Sequence, residues 1–292
     1  MKKLILLLVI LDFFAYSSYA TDVEDIFISV VYLEQVKVKT IKHKGKDCEL
    51  WIKQPGKVGF EPVTVTHYGS GIFFILNNHP YLVTASHIAN QMTPTALAVV
   101  KGKNDEPIKI SFSDLVLGKK GLHWINHEHA DVSVLPINTT KKKVLKKLQK
   151  HFLPAGFLIR DQNALDRDTK LTTLGFPLQL GTKGKFSPIS KTSKPASSYF
   201  TYSRFDTQEP TTFFVLEEPS IGGLSGAAVF ELPGIIMKGD IMTTQPNIRC
   251  YGIIHGTLSD ETGGKLAAVT PGIYVLEALQ KAEEFWKKAS TK

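Results

Sequence analysis

The chain has 292 residues, 43% hydrophobic and 21% charged, which excludes a disordered polymer and describes a globular protein. Its formal charge of +8 supplies solubility and a weak attraction to acidic surfaces rather than the signature of a nucleic-acid reader. Two cysteines, Cys48 and Cys250, exclude a disulfide-dense scaffold and permit at most one bridge, whose formation the sequence leaves open.

Residues 1–20 read as a secretory signal peptide. Lys2 and Lys3 precede an apolar run from Leu4 to Ala15, and "SSYA" puts small residues where a peptidase would cut after Ala20. Asp12 inside the run argues against a permanent anchor, so the expectation is a secreted or periplasmic protein without stable membrane insertion. Residues 21–60 precede the first clear barrel strand and read either as an extra strand or as a propeptide.

Short β-runs follow. "GIFFILN" (71–77), "YLVTA" (81–85), "ALAVVKG" (96–102), "IKISF" (108–112) and "DVSVLPI" (131–137) are rich in Val, Ile, Phe and Tyr and punctuated by Gly, Asn and Pro. They make residues 61–140 a first β lobe. Residues 141–168 form a Lys-rich linker, in which "KKKVLKKLQK" places Val144, Leu145 and Leu148 on one stripe of a short amphipathic helix. A second set, "KLTTLGF", "TTFFVLEE", "GAAVFEL", "RCYGIIHG" and "KLAAVTPGIYV", makes residues 169–274 a second lobe. Residues 275–292, with Val275, Leu276, Leu279, Ala282 and Trp286 near helical spacing, read as a C-terminal helix docked by one face. The residues alone support a sandwich or a barrel.

Three stretches carry candidate chemistry. His87 ends the apolar strand "YLVTASHIAN", Asp131 stands at the mouth of another, and Ser225 lies in the glycine-rich turn "PSIGGLSGAAVF". Each alone also fits a structural role: a core histidine, a strand-start aspartate, a plain turn. Together they follow one of the chain orders in which a Ser-His-Asp triad occurs, and the serine-first hydrolase order does not fit. "HWINHEHAD" offers His127 and His129 at strand spacing, but no third ligand is evident and no metal site is expected.

Six blocks in order resemble the chymotrypsin-like (trypsin-fold) serine peptidases, especially bacterial trypsin-like and HtrA-type members. "GSGIFFI" is similar to their first-barrel opening, and "VTASH" resembles V-T-A-A-H. "ADVSVL" resembles D-I-A-V-L, "LGFP" resembles G-Y-P, "GLSGAAVF" resembles G-N-S-G-G-P-V-F, and "TPGIYV" is similar to the strand P-G-V-Y before the terminal helix. The resemblance implies an all-β fold of two six-stranded antiparallel β-barrels with a C-terminal α-helix. It implies Ser225 as nucleophile, His87 as general base, Asp131 as the orienting carboxylate, and the amides of Gly223 and Ser225 as an oxyanion hole. The expected activity is that of a serine endopeptidase on protein or peptide substrates, with no cofactor and no nucleic-acid partner.

Departures narrow what carries over. Leu224 replaces the aspartate that pairs with a new N-terminus during activation in animal enzymes, so that activation is not expected. Pro219 stands at the base of the primary pocket instead of an acid, and Gly256 and Gly272 would leave the pocket open to apolar or small residues. His255 lies one place from the histidine with which glutamyl endopeptidases hold a substrate carboxylate; a core or rim position is the plainer reading. With 67 residues after Ser225, no PDZ domain is expected. Ala227 and Ala228 where the family prefers Gly-Pro keep a catalytically inactive binding module as an alternative. A non-catalytic cationic surface-binding protein is a further one.

Overall fold

A computed structural model describes residues 23–54, 58–117, 121–160, 165–204, 207–238, 241–245 and 247–290. The expected signal peptide lies outside these, and no helix among the described residues is long and apolar enough to cross a membrane. The architecture is the two-lobed, all-β chymotrypsin-like one. The first sheet runs in the order Ile125–Asn126, Ser133–Pro136, His79–Thr84, Thr64–Leu76, Val30–Val38, Leu97–Lys101, Pro107–Ser111, with Leu153–Pro154 added alongside Thr64–Leu76. The second runs Ile189–Ser193, Leu171–Gly175, Ala228–Glu231, Arg249–Ser259, Lys265–Pro271, Pro210–Leu216, Phe200–Ser203. Eight and seven strands replace the expected six in each.

Part of the excess comes from the segment before residue 61. Val30–Val38 pairs along its whole length with Thr64–Leu76, from Val30 opposite Ile72 to Val38 opposite Thr64, and also with Leu97–Lys101. Val30, Val31, Tyr32 and Leu33 are buried there. The first lobe thus begins at Val30, and removing this strand as a propeptide would open the core.

The strands read as near-continuous apolar runs because both of their faces are covered. Val31, Leu33, Phe73, Leu82, Ala98 and Val100 point into the interior of the first lobe. Their neighbours Val30, Tyr32, Ile72, Phe74, Tyr81 and Val83 pack instead against Leu174, Phe176 and Phe230 of the second lobe and against Val275, Leu279 and Trp286 of the terminal helix. A one-residue alternation therefore builds a lobe core and an inter-lobe core at once.

The terminal helix spans Gly272–Ser290, three residues longer at its start than the sequence pattern indicates. "GIYV" is its first turn rather than the end of a strand, and the strand stops at Pro271. Position 272 must be small: a Cβ there would lie 2.9 Å from the Cys250 carbonyl and 3.2 Å from that of Ile159. In the linker, Lys142–Leu148 is helical with Val144, Leu145 and Leu148 buried. Cys48 and Cys250 are both free thiols. Cys48 lies on the exposed hairpin strand Lys46–Glu49, whereas Cys250 is buried in the second sheet, where burial pushes its thiol up to about 12.

His151 follows the linker helix and is buried, with Nε2 donating to the Lys101 carbonyl at 3.0 Å. Burial lowers its pKa to about 4. The unfolded chain, with an ordinary imidazole near 6.5, then binds the proton first. Stability is unaffected by this group above the unfolded value and falls as pH drops from about 6.5 towards 4, by on the order of 2–3 kcal/mol. Urea unfolding across pH 4–7 should show this loss in the wild type and a flatter profile in His151→Gln.

Candidate active site

Asp131 sits just ahead of the strand Ser133–Pro136 at the seam between the lobes and is 0% exposed. A carboxylate there is costly unless its lone pairs are occupied. All of its charge is met. The backbone N–H of His87 donates to Oδ1 at 3.0 Å, and the guanidinium of Arg204 lies 3.6 Å from the same oxygen. Oδ2 receives Nδ1 of His87 at 2.7 Å and Nδ1 of His255 at 2.5 Å. Burial pushes the carboxyl up, but the hydrogen bonds from His255 and His87 outweigh it and hold it well below the usual carboxylate range. Asp131 is therefore held in its ionised form at neutral pH.

His87 is placed by local chemistry. Ala85 is extended, and Ser86–Ala89 forms a single helical turn. That turn aims both the N–H and the imidazole of His87 at Asp131. The His87 side chain remains 31% exposed.

Ser225 lies across that seam. Leu224 and Ala227 on either side are buried in the second-lobe core, which pins the turn by apolar anchors flanking the serine. The turn requires glycine at two points. Gly223 has φ +99° and Gly226 φ +82°; a Cβ would come within 2.5 Å of the Phe176 carbonyl at the first and 2.2 Å of the Ser70 carbonyl at the second. The amide of Gly226 bonds Ile254, Leu224 bonds Ile221, and Ala227 bonds Leu224. Among the described residues the amides of Gly223 and Ser225 enter no such backbone bond. The hydroxyl of Ser225 donates to the His255 carbonyl at 3.2 Å. The structure thus brings His87 and Asp131 into direct contact and joins Ser225 to them through His255.

Of the expected pocket residues, Pro219 and Gly256 stand on segments joined by one hydrogen bond. Thr257 Oγ1, next to Gly256, donates at 3.1 Å to the carbonyl of Ser220, the residue after Pro219. The carbonyl of Pro219 accepts from Lys191 Nζ. Gly272 does not join them. It packs on Cys250, six residues along the strand from Gly256, roughly 20 Å away at strand rise.

His87, Asp131 and His255 also form the one cluster among the described residues with the donor types of a metal site. Both imidazoles turn Nδ1 onto one carboxylate oxygen at hydrogen-bond distance, so protons already occupy the space between them. His127 uses Nδ1 to accept the amides of His129 and Ala130 and Nε2 to bond Glu277 of the terminal helix. It is a loop and helix tether.

Among solved structures, the HtrA-type protease AlgW with a decapeptide matches with a TM-score of 0.51 at 14% identity, covering 92% of this chain and 68% of that one. The chain has the trypsin-like protease fold. The protease Rv3671c of M. tuberculosis H37Rv, in an inactive form, matches with a TM-score of 0.47 at 10% identity over 89% of this chain and 88% of that one. No protein-family model and no curated protein matches the chain.

The sequence assigns no such role to three groups that organise this site. Arg204, 5% exposed, comes from a loop with no motif. His255 was read for a substrate contact or a core position, and its ring bonds the Asp131 carboxylate instead. Ser70, inside "GSG", ties the lobes together: its Oγ donates to the Gly223 carbonyl at 2.7 Å and accepts the Phe176 amide at 2.9 Å, and its amide bonds the Ser225 carbonyl at 2.9 Å. The two glycines around it, a pattern that lets backbones approach closely, were the available signal. Ser70→Ala leaves a buried amide and carbonyl without that partner and should cost about 1–3 kcal/mol in chemical denaturation. The same variant should slow any reaction at Ser225, because the turn loses its anchor.

Proposed function

We propose that the protein is an exported serine endopeptidase that cleaves protein or peptide substrates through Ser225, His87 and Asp131. The observation that carries this reading is the fully buried, ionised Asp131 holding Nδ1 of a partly exposed His87 at 2.7 Å, opposite a serine on a glycine-built turn.

In this reading Ser225 Oγ turns from the His255 carbonyl to His87 Nε2. The hydroxyl proton passes to Nε2 as Oγ bonds the substrate carbonyl carbon, and the oxyanion is received by the amides of Gly223 and Ser225. Collapse breaks the C–N bond, and His87 returns the proton to the leaving amine. Water then adds to the acyl-enzyme with His87 again as base, which releases the acid and restores Ser225. Asp131 stays charged throughout, stabilising the imidazolium and fixing its tautomer. No step calls for a metal or cofactor. The decapeptide held by the AlgW structure supports a peptide as substrate class, and residues 1–20 support export. Pro219 in place of an acid supports a pocket for small or apolar side chains.

One observation favours an inactive binding module: the Ser225 hydroxyl donates to His255 rather than to His87. A fluorophosphonate probe on the mature protein separates the readings. The peptidase should be labelled at Ser225, with labelling abolished in Ser225→Ala and slowed about 10⁴-fold in Asp131→Asn. A folded wild type that takes no label overturns the enzyme.

A further inference from the structure

His255 is the residue that touches both ends of the proposed machinery. Its carbonyl accepts the Ser225 hydroxyl at 3.2 Å, and its Nδ1 meets Asp131 Oδ2 at 2.5 Å. The ring has little freedom. It is 2% exposed, packs on Phe213 with centroids 5.0 Å apart, and meets His87 edge-on at 5.8 Å. The strand Arg249–Ser259 that carries it belongs to the second lobe, whereas Asp131 and His87 belong to the first.

We propose that His255 is a positioning residue which shares the Asp131 carboxylate with His87, fixing its orientation across the lobe seam and limiting how strongly it draws a proton onto His87. The proposal rests on the Ser225–His87–Asp131 reading for its catalytic meaning, though the shared carboxylate itself does not.

The charged and titratable groups facing this carboxylate are His87 from the turn Ser86–Ala89, His255 from the strand Arg249–Ser259, and Arg204 from the end of the strand Phe200–Ser203. Phe213, from the neighbouring strand, contributes only an apolar face. An oxygen that accepts two N–H groups spreads its charge over both, so each bond is weaker than it would be alone. With His255 removed, Oδ2 would serve His87 alone and stabilise its imidazolium more. It would also be free to rotate, because one of its fixed donors is gone. The first effect raises the pH at which His87 loses its proton, and the second slows the reaction. The two effects together separate this role from simple packing.

The test is carried out on full-length mature protein with His255→Phe, which keeps a ring against Phe213 and removes the donor, and His255→Asn, whose amide N–H can stand where Nδ1 stood. The His87 titration midpoint is read by NMR in a Ser225→Ala background, so that it is independent of activity. His255→Phe should raise it by about half to one pH unit, and His255→Asn should return most of that shift. In the Ser225 protein, the acid limb of the fluorophosphonate labelling profile should move the same way, with the plateau rate down by about tenfold or more. An unmoved midpoint in His255→Phe, or an Asn variant no different from Phe, overturns the proposal in favour of packing alone. The unsubstituted protein offers a check that needs no folded variant at position 255. Two strongly downfield imidazole Nδ1–H resonances should be present, both lost in Asp131→Asn; a single one overturns the sharing. A wild type that takes no label while showing both resonances removes the peptidase and leaves the shared carboxylate standing.

Discussion

The geometry of this protein turns on one buried charge. A carboxylate with no exposed surface is tolerated only where donors surround it, and Asp131 draws donors from four places: the His87 backbone and ring, the His255 ring and the Arg204 guanidinium. Two of those come from the second lobe. The charge therefore acts as a polar fastener between two apolar bodies, and its directional bonds set an orientation that hydrophobic packing alone leaves loose. Of the two histidines on this carboxylate, His87 is 31% exposed and His255 2%.

The serine side is built by opposite means. Around Ser225 the constraint is steric: glycines at 223 and 226 adopt left-handed backbone in places where a Cβ would strike a neighbouring carbonyl. Leu224 and Ala227 bury themselves in the second-lobe core and leave only the serine turned outward. Ser70 then reaches over from the first lobe and bonds that turn through its hydroxyl and its amide. At the departure, Ala227 and Ala228 are both buried; the Ala227 carbonyl accepts the Ile254 amide, and Ala228 pairs with Ile253 in the sheet. A polar fastener and a steric one thus meet at the same seam, and their relative placement depends on how the lobes pack.

Much of this was legible from residues. The β-runs, the linker helix with Val144, Leu145 and Leu148 inward, and the docked terminal helix follow from hydrophobic period and turn residues, which are local properties. His87, Asp131 and the Ser225 turn stood out because each breaks its surroundings: a titratable ring after an apolar strand, an acid at a strand mouth, a glycine cluster before one. Arg204 and His255 break nothing visible. An arginine after "FTYS" reads as surface, and a histidine inside "GIIHG" reads as core, until a partner far away in the chain is placed beside them. Cys48 and Cys250 show the converse. Their even number permits a bridge, yet one lies on an exposed hairpin and the other is buried in the second sheet.

By itself, then, the sequence determined most of the strands from residue 71 onward and the linker and terminal helices, that there are two lobes, and which three residues carry candidate chemistry. Those features depend on neighbours a few positions away. The tertiary structure alone decided that Val30–Val38 belongs to the first lobe, that Gly272 opens a helix rather than lining the pocket, and that one carboxylate is shared by two histidines. Each of these depends on contacts between residues scores of positions apart, whose distances are set by strand pairing and lobe packing and leave no local trace.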